Sequence, residues 1–171
     1  MVMPDDKKCK IVIFGAFGAG KTTLIKTLDP GSSHVEANCA GGTTTVALDY
    51  GRVQANDIHI HIFGTPGQER FEFAREIIGR GMDGAILIID ATSPVDGFIH
   101  HIYDSLSSAR IPFMIFLNRY DSVGAHPEII QKEFTKVLIA NVSALDRQQS
   151  FEALCAFAKT LPLHHNNHIP S

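Results

Sequence analysis

The sequence has no apolar run approaching the length of a membrane span, and its opening stretch, Met1-Val-Met-Pro-Asp-Asp-Lys-Lys8, holds none of the apolar character of a secretory leader. Neither a spanning helix nor a cleaved leader is expected. Cysteine is scarce. Cys9, Cys39 and Cys155 are odd in number, far apart and outside any CxxC spacing, which argues against a disulfide framework or a cysteine-based zinc site and fits a reducing cytoplasmic compartment. Charge of one sign is also lacking: 15 Lys+Arg stand against 18 Asp+Glu, a formal net charge of −3, so nothing global favours nucleic acid or an anionic bilayer. Val2 follows the first methionine and the chain closes His168-Ile-Pro-Ser171, so neither a myristoylated glycine nor a prenylated cysteine is expected. If the protein works at a membrane, another protein brings it there.

The 171 residues are 44% apolar and 19% charged, which suits one domain with a packed core. Residues 10–14 form a short apolar run ended by glycines, and residues 21–28 carry helical spacing, giving strand, loop and helix. Asp29-Pro30-Gly31 stops that helix, and residues 31–42 show no periodicity and read as a mobile loop. Residues 43–48 are β-prone, Asp49-Tyr-Gly51 reads as the start of a turn, and residues 58–62 alternate strictly, so the two segments predict a hairpin. Buried strands over 85–89 and 112–117 and a short strand over 136–140 then alternate with helices over 97–109, 127–134 and 150–159. This pattern predicts an α/β fold: a mostly parallel six-stranded sheet with one antiparallel edge hairpin and helices on both faces. There is no internal repeat and no linker, and residues 163–171 read as a frayed tail.

Gly15-Ala-Phe-Gly-Ala-Gly-Lys-Thr22 fits G-x-x-x-x-G-K-[ST] between an apolar strand and a helix. The glycines turn successive backbone N–H groups toward a phosphate chain, and the helix N-terminus adds its positive end. Lys21 reaches the outer phosphates and the Thr22 hydroxyl is a ligand for Mg²⁺. Gly15, Phe17, Gly18, Ala19, Gly20, Lys21, Thr22 and Thr23 are therefore candidate nucleotide contacts.

Four further segments follow in order. They are Thr45-Val-Ala-Leu-Asp-Tyr50, Ile62-Phe-Gly-Thr-Pro-Gly-Gln-Glu-Arg-Phe71, Asn118-Arg-Tyr-Asp121 and Ser143-Ala-Leu145. With the phosphate loop they make the chain resemble the Ras-like small GTPases over about residues 9–160, and the wording resembles prokaryotic single-domain members, the conservon-type GTPases and, more distantly, MglA. The resemblance implies a P-loop GTPase fold with an extension over 1–8, a G domain over 9–162 and a flexible tail over 163–171. It also implies a GTP/GDP-dependent switch that uses Mg²⁺, hydrolyses GTP slowly and acts through regulatory and effector proteins. Gly67 then offers its N–H to the γ-phosphate, Gln68 orients the attacking water, and Thr45 is the magnesium ligand of the first switch segment, with Thr43 and Thr44 as rivals. Asn118, Arg119 and Asp121 read the base, and Ser143, Ala144 and Leu145 hold it from the other side. Independently of the family, guanine presents an N1–H and an amino group side by side, and the carboxylate of Asp121 is suited to accept both.

Three positions depart from the family pattern. Gly64 stands where the family carries an aspartate of the magnesium shell, and no neighbouring acid replaces it in sequence. Phe17 crowds the place where an arginine finger would enter. Arg119 replaces a lysine. Arg52, Arg70, Arg75 and Arg80 are candidates for an arginine supplied in cis, with a solvated surface position the simpler expectation for each. Phe71 and Phe73 are read either as a nucleotide-dependent partner surface or as core anchors. His59, His61 and the histidines of the tail read as a polar face and a floppy end rather than a metal site. Two other functions stay open: a P-loop ATPase or kinase in which Asp90, closing the run Ile86-Leu-Ile-Ile-Asp90, supplies the magnesium acid, and a module that holds GTP without hydrolysing it.

Overall fold

Strand β1 (Lys7–Phe14) is apolar from Ile11 onward, and those residues are buried on both faces: Ile11 and Ile13 point into one hydrophobic cluster, Val12 and Phe14 into another. A strand covered on both sides must lie inside a sheet flanked by two layers. The computed structural model, which describes residues 7–38, 45–67 and 72–165, shows that arrangement. The further elements are α1 (Lys21–Leu28), β2 (Ser33–Asn38), β3 (Thr45–Ala55), β4 (Ile58–Gly64), α2 (Glu72–Gly79), β5 (Gly84–Asp90), α3 (Gly97–Ser108), β6 (Phe113–Asn118), α4 (Pro127–Glu133), β7 (Ile139–Asn141), α5 (Arg147–Ala158) and β8 (His164–His165). The sheet runs β2-β3-β4-β1-β5-β6-β7, with β8 added on β1. From β4 across to β7 neighbouring strands are parallel, while β2, β3 and β4 pair antiparallel.

The cluster holding Ile11 and Ile13 gathers Leu24 and Ile25 of α1 and Leu154 and Phe157 of α5. The opposite cluster gathers Ile78 of α2, Ile99 and Ile102 of α3 and Ile130 of α4. Each such side chain contributes about 1.5–3 kcal/mol when fully buried.

The α/β class, the parallel core and the helices on both faces agree with the sequence reading, and four local expectations are corrected. The sheet path has seven strands rather than six, because residues 33–38 form β2 inside the stretch read as a loop. β2 is an edge strand carrying Ser33, His34, Val35 and Glu36; only its pairing with residues 45–50 of β3 makes it a strand, and that pairing leaves no apolar periodicity. The turn read at Asp49-Tyr50-Gly51 is not there. β3 runs on to Ala55, and the hairpin closes over Asn56 and Asp57, with Asn56 in the left-handed region at φ 53°. Gly51 has a packing role instead, since a Cβ there would lie 3.1 Å from Ile25 and 3.2 Å from Asp29 of the helix side. The strand read over 136–140 falls at Ile139–Asn141 as β7, residues 136–138 belonging to the irregular segment before it. Finally, His165 and His164, read as tail, pair with Lys7 and Lys8, the end of the stretch read as an extension.

Cys9 lies in the same cluster as Ile11, 1% exposed, and its burial beside Asp83 pushes the thiol up to about 12. The folded chain then keeps a proton there that the unfolded chain gives up near its ordinary value of 9.0, so the neutral thiol's contribution is full below that value and is lost as pH rises toward 12. Two outcomes are expected. At about pH 8, iodoacetamide labels Cys9 only on unfolding. Between the ordinary and the shifted value, denaturant titrations of wild type lose stability relative to Cys9→Ala with a slope worth about one proton.

Candidate nucleotide-binding site

Residues 15–20 connect β1 to α1 and lie against the end of β5. A Cβ on Gly15 would come within 2.6 Å of the Ile88 carbonyl oxygen, so only glycine fits that approach. Gly18 and Gly20 take φ values of 76° and 111°, and Gly20 is the residue that caps α1. Lys21, only 8% exposed, folds back under the loop and donates to the carbonyls of Gly15 and Ala16, both at 2.7 Å. Its burial, reinforced by the nearby positive charge of Arg75 and opposed by Asp49, lowers its pKa to about 8. A desolvated ammonium at the head of a helix is electrostatically matched to an anion.

The segment after β4 closes over this loop. Thr65, buried, donates from both its backbone N–H and its hydroxyl to the Ile13 carbonyl, each at 3.0 Å. Two residues on, a Cβ on Gly67 would stand 2.5 Å from the Phe17 nitrogen and 2.8 Å from Lys21 Nζ. Gly67 is therefore in backbone contact with the phosphate loop. Arg75 of α2 holds the segment from behind: it donates to the Pro66 carbonyl at 3.3 Å and lies over the Phe98 ring at 4.7 Å. With 4% exposure it corrects the surface expectation for that arginine; Arg52 and Arg80 are exposed as expected, and Arg70 lies outside the described residues.

On the other flank β6 delivers Asn118 to the back of the loop. Asn118, 5% exposed, donates from Nδ2 to the Ala19 carbonyl and accepts at Oδ1 from the Ala144 N–H, both at 3.0 Å. One side chain thus joins the phosphate loop to the loop after β7. Arg119 takes φ 55°, donates to the Gly18 carbonyl at 3.2 Å and pairs with Asp90, whose carboxylate also accepts from the Thr92 hydroxyl and N–H. Asp121 is exposed two residues further on, Leu145 is exposed on the facing loop, and Ser143 is half-buried there.

At the head of α1, Thr22 is exposed and Thr23 half-buried, and the Thr22 hydroxyl donates to Asp49 Oδ2 at 2.5 Å. Thr45 opens β3, its backbone opposite Asn38. Gln68, Phe71, Thr43 and Thr44 lie outside the described residues. The structure thus connects Gly15, Phe17, Gly18, Ala19, Gly20, Lys21, Thr22, Gly67, Asn118, Arg119, Ser143 and Ala144 through the phosphate loop and its direct contacts. Among the described residues no three His, Cys, Asp or Glu side chains gather to hold a metal, and no helix is long and apolar enough to cross a membrane.

Sequence reasoning missed two supports. Gln149, in the first turn of α5, accepts from the Ser143 N–H at 2.7 Å and donates to the Tyr120 hydroxyl at 2.9 Å, while the Ser150 hydroxyl donates to the Ser143 carbonyl at 2.9 Å. They fix the loop after β7 from below. The one available signal was Asp146 ahead of them, whose side chain accepts from the Gln149 N–H and caps α5.

A glycine loop between the first strand and helix, a buried lysine under it and an asparagine bridging to a second loop define a P-loop nucleotide-binding domain. The model of the elongation factor Tu GTP-binding domain family matches residues 40–162. The chain belongs to that family. Over 112 residues it is 41% identical to uncharacterized protein MJ1339 of Methanocaldococcus jannaschii, covering 66% of this chain and 70% of that one. Over 154 residues it is 28% identical to translation initiation factor IF-2 of Pelotomaculum thermopropionicum, covering 84% of this chain but only 16% of the factor. The crystal structure of translation elongation factor SelB from Methanococcus maripaludis, in complex with the GTP analogue GppNHp, superposes with a TM-score of 0.72 at 18% identity, over 97% of this chain and 37% of that one. The fold is that of the α/β P-loop GTPases.

Removing the Asn118 side chain orphans two buried backbone groups, at about 1–3 kcal/mol each. Asn118→Ala is expected to destabilise the nucleotide-free protein by about 2–6 kcal/mol in urea titrations. Gln149→Ala, at a half-buried site, is expected to cost about 1 kcal/mol. Equal losses would refute this ranking.

Proposed function

We propose that this chain is a GTP-dependent switch that slowly hydrolyses GTP to GDP and phosphate. The observation that carries the reading is the Asn118 bridge, which connects the loop suited to phosphates with the two segments, 119–121 and 143–145, suited to a purine. Between those segments the exposed Asp121 carboxylate is available to accept from guanine N1–H and its amino group, a donor pair adenine does not present. The aliphatic stem of Arg119, its head held by Gly18 and Asp90, and the exposed Leu145 offer apolar surface to the two faces of the base.

On the phosphate side Lys21 exchanges its loop carbonyls for phosphate oxygens, and the N–H groups of residues 18–23 and Gly67 supply further donors. Magnesium fits the Thr22 hydroxyl, which gives its hydrogen away to Asp49 and keeps its oxygen free, and Thr45 is the second protein ligand in this reading. When bound with the phosphates, Mg²⁺ supplies positive charge that polarises the transferring phosphoryl group. Water attacks the γ-phosphorus in line with the bond to the β–γ bridging oxygen; that bond breaks, the electron pair stays on GDP and the water's proton passes to the released phosphate. Gln68 orients that water. Gly67 senses the γ-phosphate through the backbone contact that brings it onto the loop, and Arg75 transmits the position of Pro66 to α2.

Slow turnover is supported by Phe17, whose ring is 80% exposed over the loop where an incoming arginine would pass, and by Arg75, which is already engaged by Pro66 and Phe98. The placement beside conservon-type GTPases and MglA rests on the wording around Phe17 and Gly64. Regulators and effectors would recognise a nucleotide-dependent change at Gly67 and α2, in a reducing cytoplasmic setting. The ATPase or kinase reading loses its main support because the Asp90 carboxylate is engaged by Arg119 and Thr92.

Mass spectrometry of the copurifying nucleotide is expected to find GDP or GTP, and ATP is expected not to displace labelled GDP. Asp121→Ala should weaken GDP binding about 10–100-fold, the worth of charged hydrogen bonds. Equal competition by ATP would overturn the assignment. In single-turnover assays wild type should hydrolyse GTP faster than Gln68→Ala; no difference would leave a GTP-holding module.

A further inference from the structure

The acid missing from position 64 has a spatial counterpart that its place in the sequence conceals. Gly64 closes β4, and directly across the antiparallel ladder stands Asp49 of β3. A Cβ on Gly64 would come 2.8 Å from Ile25 Cδ1, 3.3 Å from Asp49 Cβ and 3.6 Å from Asp49 Oδ2. There is room for one carboxylate-bearing side chain in that space, and β3 provides it. The carboxylate is not idle there. Oδ2 accepts the hydroxyl hydrogen of Thr22 at 2.5 Å, and Oδ1 meets His34 Nδ1 of β2 at 2.7 Å.

The Thr22 contact has a chemical consequence. A threonine hydroxyl has one hydrogen and two lone pairs, and a hydroxyl whose hydrogen is taken by a carboxylate directs lone-pair density away from that carboxylate, toward the space in front of α1. It becomes a better donor to a hard cation. The carboxylate also brings a negative charge near the buried Lys21, on the side of the Thr22 hydroxyl where a cation bound with phosphates would sit. A purely structural acid at a strand–helix junction needs partners, and Asp49 has them. The Oδ2 that lies beside the space a side chain at 64 would fill is the same atom that accepts from Thr22.

Resting on the GTP and magnesium reading above, we propose that Asp49 supplies, from the neighbouring strand, the carboxylate of the magnesium shell at Thr22, in place of an acid at position 64. Asp49 is a positioning residue in this account. It orients the Thr22 oxygen and accepts a hydrogen bond from water on the cation.

The test is a magnesium titration of GDP release. Labelled GDP is chased from the 171-residue protein in EDTA and in rising Mg²⁺, and the half-saturating Mg²⁺ concentration is read. Asp49→Asn keeps the size of the side chain and its ability to accept from Thr22 but removes the charge. The expected result is a rise of about 10–100-fold in the half-saturating Mg²⁺ concentration, as for loss of an outer-shell carboxylate. An unchanged value in a folded Asp49→Asn protein whose wild type responds to Mg²⁺ overturns the assignment alone. A wild type that binds no GDP, or releases it independently of Mg²⁺, overturns the underlying reading as well. Should Asp49→Asn not fold, Asp49→Ser is titrated in its place. In unsubstituted protein with GDP, Mn²⁺ is expected to broaden the ¹³C resonance of the Asp49 carboxyl beyond detection, and a sharp resonance there counts against the proposal.

Discussion

The candidate site depends on a single amide. Asn118 stands at the end of a central strand with both ends of its side chain satisfied by backbone, one from the phosphate loop and one from the loop after β7. Three segments far apart in sequence are set at fixed distances by two hydrogen bonds, and the burial of the amide makes each bond costly to break. Gly20 gains its meaning from the same contact, because a Cβ there would collide with the Asn118 amide. Around this joint the other supports are outward layers: Gln149 and Ser150 fix Ser143, Arg119 fixes Gly18, and Thr65 fixes the end of β4 to β1.

Much of this was legible in the residues. The phosphate loop could be read because its glycines occupy positions where backbone must touch backbone or take positive φ, requirements that few other residues meet. The buried strands could be read because burial on both faces leaves continuous apolar runs such as residues 85–89. What failed was whatever depends on a neighbour. β2 is a strand because β3 offers it a ladder, and its own residues carry no pattern to announce that. Asp49 was assigned to a turn because Asp-Tyr-Gly has turn composition; Gly51 is instead small to admit Ile25. Arg75 was expected in solvent because arginine usually is, yet an aromatic face and a carbonyl made burial tolerable.

Three glycines, 51, 64 and 67, show one principle at work on the switch side of the sheet. Each lies where a helix side chain or the phosphate loop approaches within the radius of a methyl group. Their absence of side chains lets α1 sit low on β3 and β4 and lets the segment after β4 lie flat on the loop. The functional geometry of this flank is made by subtraction, and the chemistry that a side chain at 64 would have carried is displaced to the next strand.

Lys21 ties the turn after β1 to the sheet it leaves. Its ammonium draws in the Gly15 and Ala16 carbonyls, each at 2.7 Å, while Gly15 itself is pressed against the Ile88 carbonyl of β5. A side chain at position 15 would have to push either that strand or the lysine aside, and the burial of Lys21 leaves little water to replace a lost bond. The first turn of the chain is thus braced like part of the sheet rather than left as a surface loop.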